Sequence, residues 1–376
     1  MATFKGFVGP SNVQRSRNVD PEDSINLTLE APDAGTPKVV PYAYRRPRLK
    51  VWARLPSAPV RGLFYEDGRM WAVSGNRFVE CFASQNWTQR GTVAVDANPA
   101  TMASNGQSDG QQLFVVSGGA GYSYDVTTNV LTTITDPGFP TPALMGAFLN
   151  SKFLVLKTSS NQFNWSANLD AEDWNALDVA RQSQSSDNVL SLIVVHGQIW
   201  LFGSQNTSVW YNPASGNTTF APIDSARIQQ GIAASFAVTP CDNTLYWLSQ
   251  NIDGSRMVMR ADGYNAVRVS THAIETYLSA LSRVSDAIAW TYQDEGHTFF
   301  LLYLPVADHT LVYDVSSQEW TKWSIWDDVQ GKDFPYPGRC HVYAFGKHLV
   351  GDRQSGTIYE QVIEAGSDDL IVAGGL

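Results

Sequence analysis

Gly68–Val73 reads GRMWAV and, across a short polar turn, Arg77–Phe82 reads RFVECF. Two runs of aromatic and β-branched residues joined by Gly and Asn form a β-hairpin. The same pair recurs along the chain. Its first runs are Gln111–Val116 (QQLFVV), Ser151–Leu156 (SKFLVL), Gly197–Phe202 (GQIWLF), Asn243–Leu248 (NTLYWL) and Thr298–Tyr303 (TFFLLY). Its partner runs are Gly121–Asp125 (GYSYD), Gln162–Trp165 (QFNW), Ser208–Tyr211 (SVWY), Met257–Arg260 (MVMR) and Leu311–Asp314 (LVYD).

The third residues of the first runs, at 70, 113, 153, 199, 245 and 300, step by 43, 40, 46, 46 and 55. That period suits a four-stranded sheet, and a ring of such sheets lets each cover its neighbours' faces while leaving short protected edges. The expected fold is therefore all-β, a β-propeller of six or seven blades. The count turns on Arg339–Phe345 (RCHVYAF), His348–Gly351 and Thr357–Val362 (TIYEQV), which read as a seventh or a closing unit.

A propeller must fasten its first blade to its last. Ser24–Leu29 (SINLTL) alternates as a closing strand would. The reading divides the chain into a basic N-terminal arm with a closing strand at 1–60, a propeller at 61–364 and a flexible tail at 365–376. One helix interrupts the pattern: Ile274, Tyr277, Leu278 and Leu281 recur at helical spacing after Ser270 or Thr271, either of which can cap it. The turn signals before it place this short helix at one rim. Segments 170–188 and 327–338 exceed plain hairpin turns and are the expected contact surfaces.

Charge is uneven. Residues 1–61 hold ten Lys/Arg against five Asp/Glu, and the remainder sixteen against thirty-one. An acidic body does not displace counterions from DNA, so tight nonspecific DNA binding by the propeller is not expected. Cys81, Cys241 and Cys340 are odd in number and widely spaced, which signals neither a disulfide framework nor a zinc site. No leader-like run opens the sequence, and no segment approaches eighteen apolar residues, so membrane insertion is not expected.

Catalytic patterns are sparse. Asp170, Glu172 and Asp173 could bind a metal or serve acid/base chemistry, but such a cluster in a polar loop more often marks a solvated turn. His196, His272, His297, His309, His341 and His348 never fall at zinc-helix spacing. Gly118–Gly121 lacks the Lys and the following helix of a phosphate loop, and reads as a hairpin turn. No cofactor is implied. A propeller enzyme, a glycosidase or lyase, would need carboxylates such as Asp173, Asp187 or Asp286 around a shared cavity.

Tyr124–Asp125 and Tyr313–Asp314, the latter followed by Trp320 and Trp323, resemble the blade punctuation of kelch repeats, which also gives a kelch-like binding module as an alternative. In this pattern the Tyr packs between sheets and the Asp accepts turn amide hydrogens.

A broader resemblance lies in Leu201–Tyr211 (LFGSQNTSVWY), Arg227–Pro240 (RIQQGIAASFAVTP), Ser270–Leu278 (STHAIETYL) and Thr310–Asp314 (TLVYD), with Ser24–Leu27 and Asp170–Leu192 agreeing more weakly. In these stretches, taken in order, the sequence resembles the tail-hub, or packaged-DNA stabilization, proteins of short-tailed bacteriophages. The resemblance implies a noncatalytic virion protein of the phage tail, made in the host bacterial cytoplasm. It implies self-assembly into a ring, a hexamer in most members, below the portal and the head-to-tail adaptor. The ring retains packaged DNA and passes it without specific binding at ejection. Members often continue past the last blade into a further β-rich region with contacts to a tail spike, fibre or plug, whereas these 376 residues stop soon after it. Arg45, Arg46 and Arg48 in the arm, with Asp170, Glu172 and Asp173 in the long acidic turn, are the candidate assembly contacts, since guanidinium and carboxylate make paired hydrogen bonds across an interface.

Overall fold

Apolar and polar residues alternate over short stretches and are punctuated by Gly, Asn and Asp, giving thirty-one strands and one helix among the described residues. The structure is a computed structural model that describes residues 23–30, 42–182, 187–214, 218–363 and 366–369. The first 22 residues of the expected arm, part of the 170–188 segment and most of the expected tail lie outside the described residues.

The chain opens with a two-stranded hairpin, β1 (Leu27–Glu30) and β2 (Tyr42–Arg45), followed by β3 (Arg48–Arg54). Blade one is β4 (Val60–Glu66), β5 (Arg69–Ser74), β6 (Arg77–Cys81) and β7 (Trp87–Thr92). Blade two is β8 (Thr101–Ser104), β9 (Gln112–Ser117), β10 (Ala120–Asp125) and β11 (Val130–Thr133). Blade three is β12 (Ala143–Leu149), β13 (Lys152–Lys157), β14 (Gln162–Asn168) and β15 (Trp174–Arg181). Blade four is β16 (Val189–Val195), β17 (Gln198–Gly203), β18 (Thr207–Tyr211) and β19 (Ala221–Ile228). Blade five is β20 (Val238–Cys241), β21 (Thr244–Gln250), β22 (Arg256–Asp262) and β23 (Asn265–Arg268), and α1 (His272–Ala280) leads out of it. Blade six is β24 (Ile288–Asp294), β25 (His297–Tyr303), β26 (Thr310–Asp314), β27 (Glu319–Asp327) and a fifth strand, β28 (Lys332–Pro335). Blade seven is β29 (Gly338–Ala344), β30 (Lys347–Asp352), β31 (Thr357–Val362) and, returning from the start of the chain, β3. The molecule is a seven-bladed β-propeller with a single short helix.

Three expectations are corrected. The closing strand is β3, whose residues pair from Arg48 with Val362 to Arg54 with Thr357, and not Ser24–Leu29. That earlier segment runs along the outer edge of blade six, where Ile25 bridges Lys322 in parallel, and then turns into the β1–β2 hairpin. The long 170–188 segment contains β15, the outer strand of blade three, and 327–338 contains β28, which pairs with the part of β27 that outruns β26. Within the expected flexible tail, Gly366–Asp369 packs back on the arm: the Asp369 amide donates to Leu49 O at 2.7 Å.

The core is seven inter-blade layers, each carrying at least one aromatic pair. Going round the ring, the pairs are Phe78–Tyr124, Phe114–Phe153, Phe163–Trp210, Phe202–Trp247, Tyr246–Phe300, Tyr292–His348 and Phe345–Tyr65, with ring centroids 5.0–5.7 Å apart. These edge-on and tilted contacts join neighbouring sheets at the usual aromatic spacing. Near the axis the blades crowd: a Cβ on Gly62 would lie 2.4 Å from Ala100 O, and one on Gly146 2.4 Å from the Phe114 ring. Larger side chains there would push the blades apart.

Each blade is a meander running outward from the axis. Its first and third turns therefore share one rim, and its second turn shares the other with the blade-to-blade connections. Helix α1 belongs to this connection rim. Thr271 caps it by accepting from the Ile274 amide, and Arg256 of β22 donates to Leu278 O and Leu281 O at 2.6 and 2.8 Å, satisfying carbonyls at the other end.

Trp200 and Phe299 are both 5% exposed and belong to the layers between blades four and five and between blades six and seven. Replacing either with Ala should cost about 3–5 kcal/mol in denaturant unfolding, the range for large aromatic truncations; losses below about 1 kcal/mol at both sites would contradict these layer assignments.

Candidate functional site

The first strands of the seven blades enclose an axial channel of about 850 Å³. Spread over strands about 20 Å deep (six residues at roughly 3.3 Å each), this volume corresponds to a bore roughly 10 Å wide once the radius of the water that fills it is added. The wall is largely apolar or small, with Phe64, Phe148, Phe236 and Trp290 beside Ala103, Gly146 and Ala147.

Few charged groups reach the wall, and most are tied down. Arg61 is 1% exposed; it donates to Asn98 O at 2.9 Å, to Ser117 Oγ at 2.8 Å and to the Gly75 and Ala94 carbonyls, and it pairs with Asp96. Glu66 accepts from Gln111 Nε2 at 2.7 Å. His341 and His348 share a hydrogen bond at 3.1 Å and stack, and burial, with the neighbouring His348, pushes the His341 imidazole down to about 3, so it is neutral at ordinary pH. Arg339 completes the set. Glu66 is the one carboxylate among the described lining residues, so no acid/base pair of the glycosidase kind faces the bore.

Asp173, Asp187 and Asp286 lie elsewhere. Asp173 is exposed in the β14–β15 turn, Asp187 accepts from Ser204 Oγ and the Gln205 amide, and Asp286 pairs with Arg283 at 2.5 Å. The Asp170, Glu172 and Asp173 cluster forms that same β14–β15 turn, on the rim away from α1. Asp170 Oδ1 accepts from the Glu172 amide at 2.9 Å, and Gln112 of blade two accepts from the Ala171 amide at 2.7 Å, which fixes the turn against its neighbour. Glu172 and Asp173 point to solvent. No group of three or more metal-ligating side chains occurs among the described residues. Asp125 and Asp314 have the turn role expected from the Tyr-Asp pattern: Asp125 accepts from the Thr127 and Thr128 amides, and Asp314 from the Ser316 amide.

The three arm arginines separate in role. Arg46 is 4% exposed and held inside its own subunit. Its Nε donates to Asn26 Oδ1 at 2.8 Å, its Nη2 to Ser324 O at 3.1 Å and to Asp368 Oδ2 at 2.7 Å, and its guanidinium lies over the Tyr336 ring at 5.0 Å. This corrects its reading as an outward assembly contact: it fastens the N-terminal segment, blade six and the Gly366–Asp369 segment together. Arg45 is exposed and donates to Gly366 O at 2.5 Å, and Arg48 lies alongside Gly366. Sequence reasoning missed Arg46's place because Asp368 is 322 residues away, and no local spacing announces such a pair.

Comparison with known proteins agrees with this architecture. Residues 42–362, from the start of β2 to the end of β31, match the family described as Bacteriophage P22 Gp10, beta-propeller. The tail hub protein gp10 of Salmonella phage P22 is 26% identical over 172 residues, covering 42% of this chain and 36% of that protein, so the chain matches about a third of its relative's length. Among solved structures, the extracellular domain of the putative one component system BT4673 from B. thetaiotaomicron superposes with a TM-score of 0.53 at 9% identity, over 84% of this chain and 40% of that one. At that identity the likeness concerns the fold alone.

Removing the Arg46 guanidinium should take from Asp368 its cationic partner, leaving it, among the described residues, only the Leu49 amide at 2.9 Å, and from the Ser324 carbonyl its side-chain donor. Arg46→Ala is expected to cost about 3 kcal/mol of folding stability, as breaking a buried ion pair does, whereas Arg45→Ala should change it by less than about 0.5 kcal/mol. Equal, small effects in chemical denaturation would refute the clasp.

Proposed function

This chain belongs to the family of the bacteriophage P22 Gp10 β-propeller, and from that membership we propose that it is a structural, noncatalytic subunit of a short-tailed phage tail, a tail-hub protein. Several copies, six in our reading, form a ring below the portal and adaptor, help retain packaged DNA and bound the path of its ejection. The observation that carries the reading is the extent of the family match, which takes in the whole propeller together with its closing strand.

The channel supports a refinement. A bore roughly 10 Å wide cannot admit a duplex, whose two grooves are about 8.5 and 7.5 Å deep. The DNA path therefore lies between subunits, bounded by rims and outer strands, and not along the axis of one propeller. The rim away from α1 carries Asp67, Asp109, Asp170, Glu172, Asp173, Asp242, Asp262 and Glu295 in its turns. A wall of this sign repels phosphate and lets DNA slide. The exposed Arg45, together with Glu172 and Asp173, remains a candidate for contacts between copies or with the adaptor, where a guanidinium and a carboxylate would meet with salt-dependent strength.

Electron microscopy of the purified chain, alone and mixed with portal and adaptor, tests the proposal. Closed rings docked beneath the adaptor, each showing a separate narrow pore within every propeller and a wider opening on the common axis, are the expected outcome. A chain that stays monomeric and unbound at every ratio would overturn it.

A further inference from the structure

At the connection-rim mouth of the channel the charges do not balance. Arg61 and Arg339 are each the second residue of an inner strand, β4 and β29, and both reach toward the 93–100 connection that leaves blade one. Both are almost fully buried, at 1% and 7% exposure, and Arg339 lies close enough to disfavour the charge on Arg61. Among the described residues, Asp96 is the carboxylate that favours the charge on Arg339, and it is already committed. Its Oδ1 holds Arg61 and its Oδ2 accepts from Asn98 Nδ2 at 2.8 Å.

Arg61 uses all three of its nitrogens. Among the described residues, Arg339 makes one long hydrogen bond, Nη2 to Ala97 O at 3.3 Å, and its buried Nε has no partner. Burial lowers the affinity of both guanidinium groups for their protons, but a guanidinium remains charged throughout the accessible pH range. Arg339 is thus an almost fully buried cation on the channel wall with one weak partner, an arrangement that is costly unless an anion completes it.

We propose that Arg339, supported by Arg61 and opening onto the channel, forms a binding site for one small oxyanion, a phosphate or a carboxylate. The two Nη groups of a guanidinium match the two oxygens of either group in a paired hydrogen bond, while the Arg339 Nε lies behind them, closed off from the channel. A metal cation would be repelled, and a neutral ligand would leave the excess charge in place. The bore excludes a duplex but admits a free ion or the end of a narrow chain.

The test follows thermal unfolding of the full chain in sodium phosphate and in sodium acetate against sodium chloride at matched ionic strength, for the wild type and for Arg339→Gln. An anion that binds only the folded form lowers the wild-type unfolding constant about elevenfold at ten times its Kd and does so saturably. Whichever of the two salts acts identifies the oxyanion. Arg339→Gln should lose that dependence and should unfold no earlier than wild type in chloride, because the uncompensated charge is gone. No difference between salts for the wild type, or the same dependence retained in Arg339→Gln, would overturn the site. If the variant does not fold, calorimetric titration of the wild type with each anion decides: a saturable one-to-one heat supports the site, and its absence removes it.

Discussion

Seven sheets can cover one another's faces only while the ring they form is closed, and closure here rests on the pairing of Arg48–Arg54 with Thr357–Val362. Without it, blade seven would have three strands and the apolar side chains of β3 would be exposed. Leu49 is fully buried and packs between blades six and seven with Trp323, Tyr336 and Tyr359, while Trp52 and Ala53 fill the layer between blades seven and one. Burying side chains of this size contributes about 1.5–3 kcal/mol each, and the ladder bonds add about 1 kcal/mol apiece. Arg46 and Asp368 lie just outside this seam and tie the N-terminal segment and Gly366–Asp369 to blade six. Arg46, part of the N-terminal basic charge, therefore serves the subunit itself.

A closed ring also fixes what the axis can be. With seven blades the inner strands meet around a narrow, mostly apolar bore whose cations sit at one mouth. A bore of that width is too narrow for a DNA duplex. The proposed role in a phage tail then falls to surfaces that the fold leaves free: the acidic rim and the outer strands. A propeller alone does not specify function; here the functional reading is carried by family membership.

The strands that carry the core were legible in the sequence because their two faces are both covered, so they read as dense apolar runs such as QIWLF at 198–202 and TFFLLY at 298–303. The helix was legible, and of the two caps the sequence offered, Ser270 and Thr271, the structure uses Thr271. The outer strands were not. Trp87–Thr92 and Val130–Thr133 expose one face and read as polar loops, and Trp174–Arg181 disappeared into an acidic turn for the same reason. The closing strand was misplaced because Arg48, Lys50 and Arg54 give β3 the look of a basic arm. Its signal was the alternation of Leu49, Val51 and Ala53 between those charges, the pattern of a protected edge strand. Arg46 and Arg339 owe their roles to partners far away in the chain, so neither could be separated from ordinary surface arginines before folding.

The central claim is that the ring is fastened through β3, and native-state hydrogen exchange across added denaturant tests it most directly. If closure holds the molecule together, amides of Arg48–Arg54 and Thr357–Val362 in the ladder exchange only through global unfolding, with the same free energy and denaturant dependence as those of β13 and β17. If the β3 and β31 amides exchange through a separate, low-energy opening while the inner blades remain protected, the fold does not depend on this seam and the account of its closure is wrong.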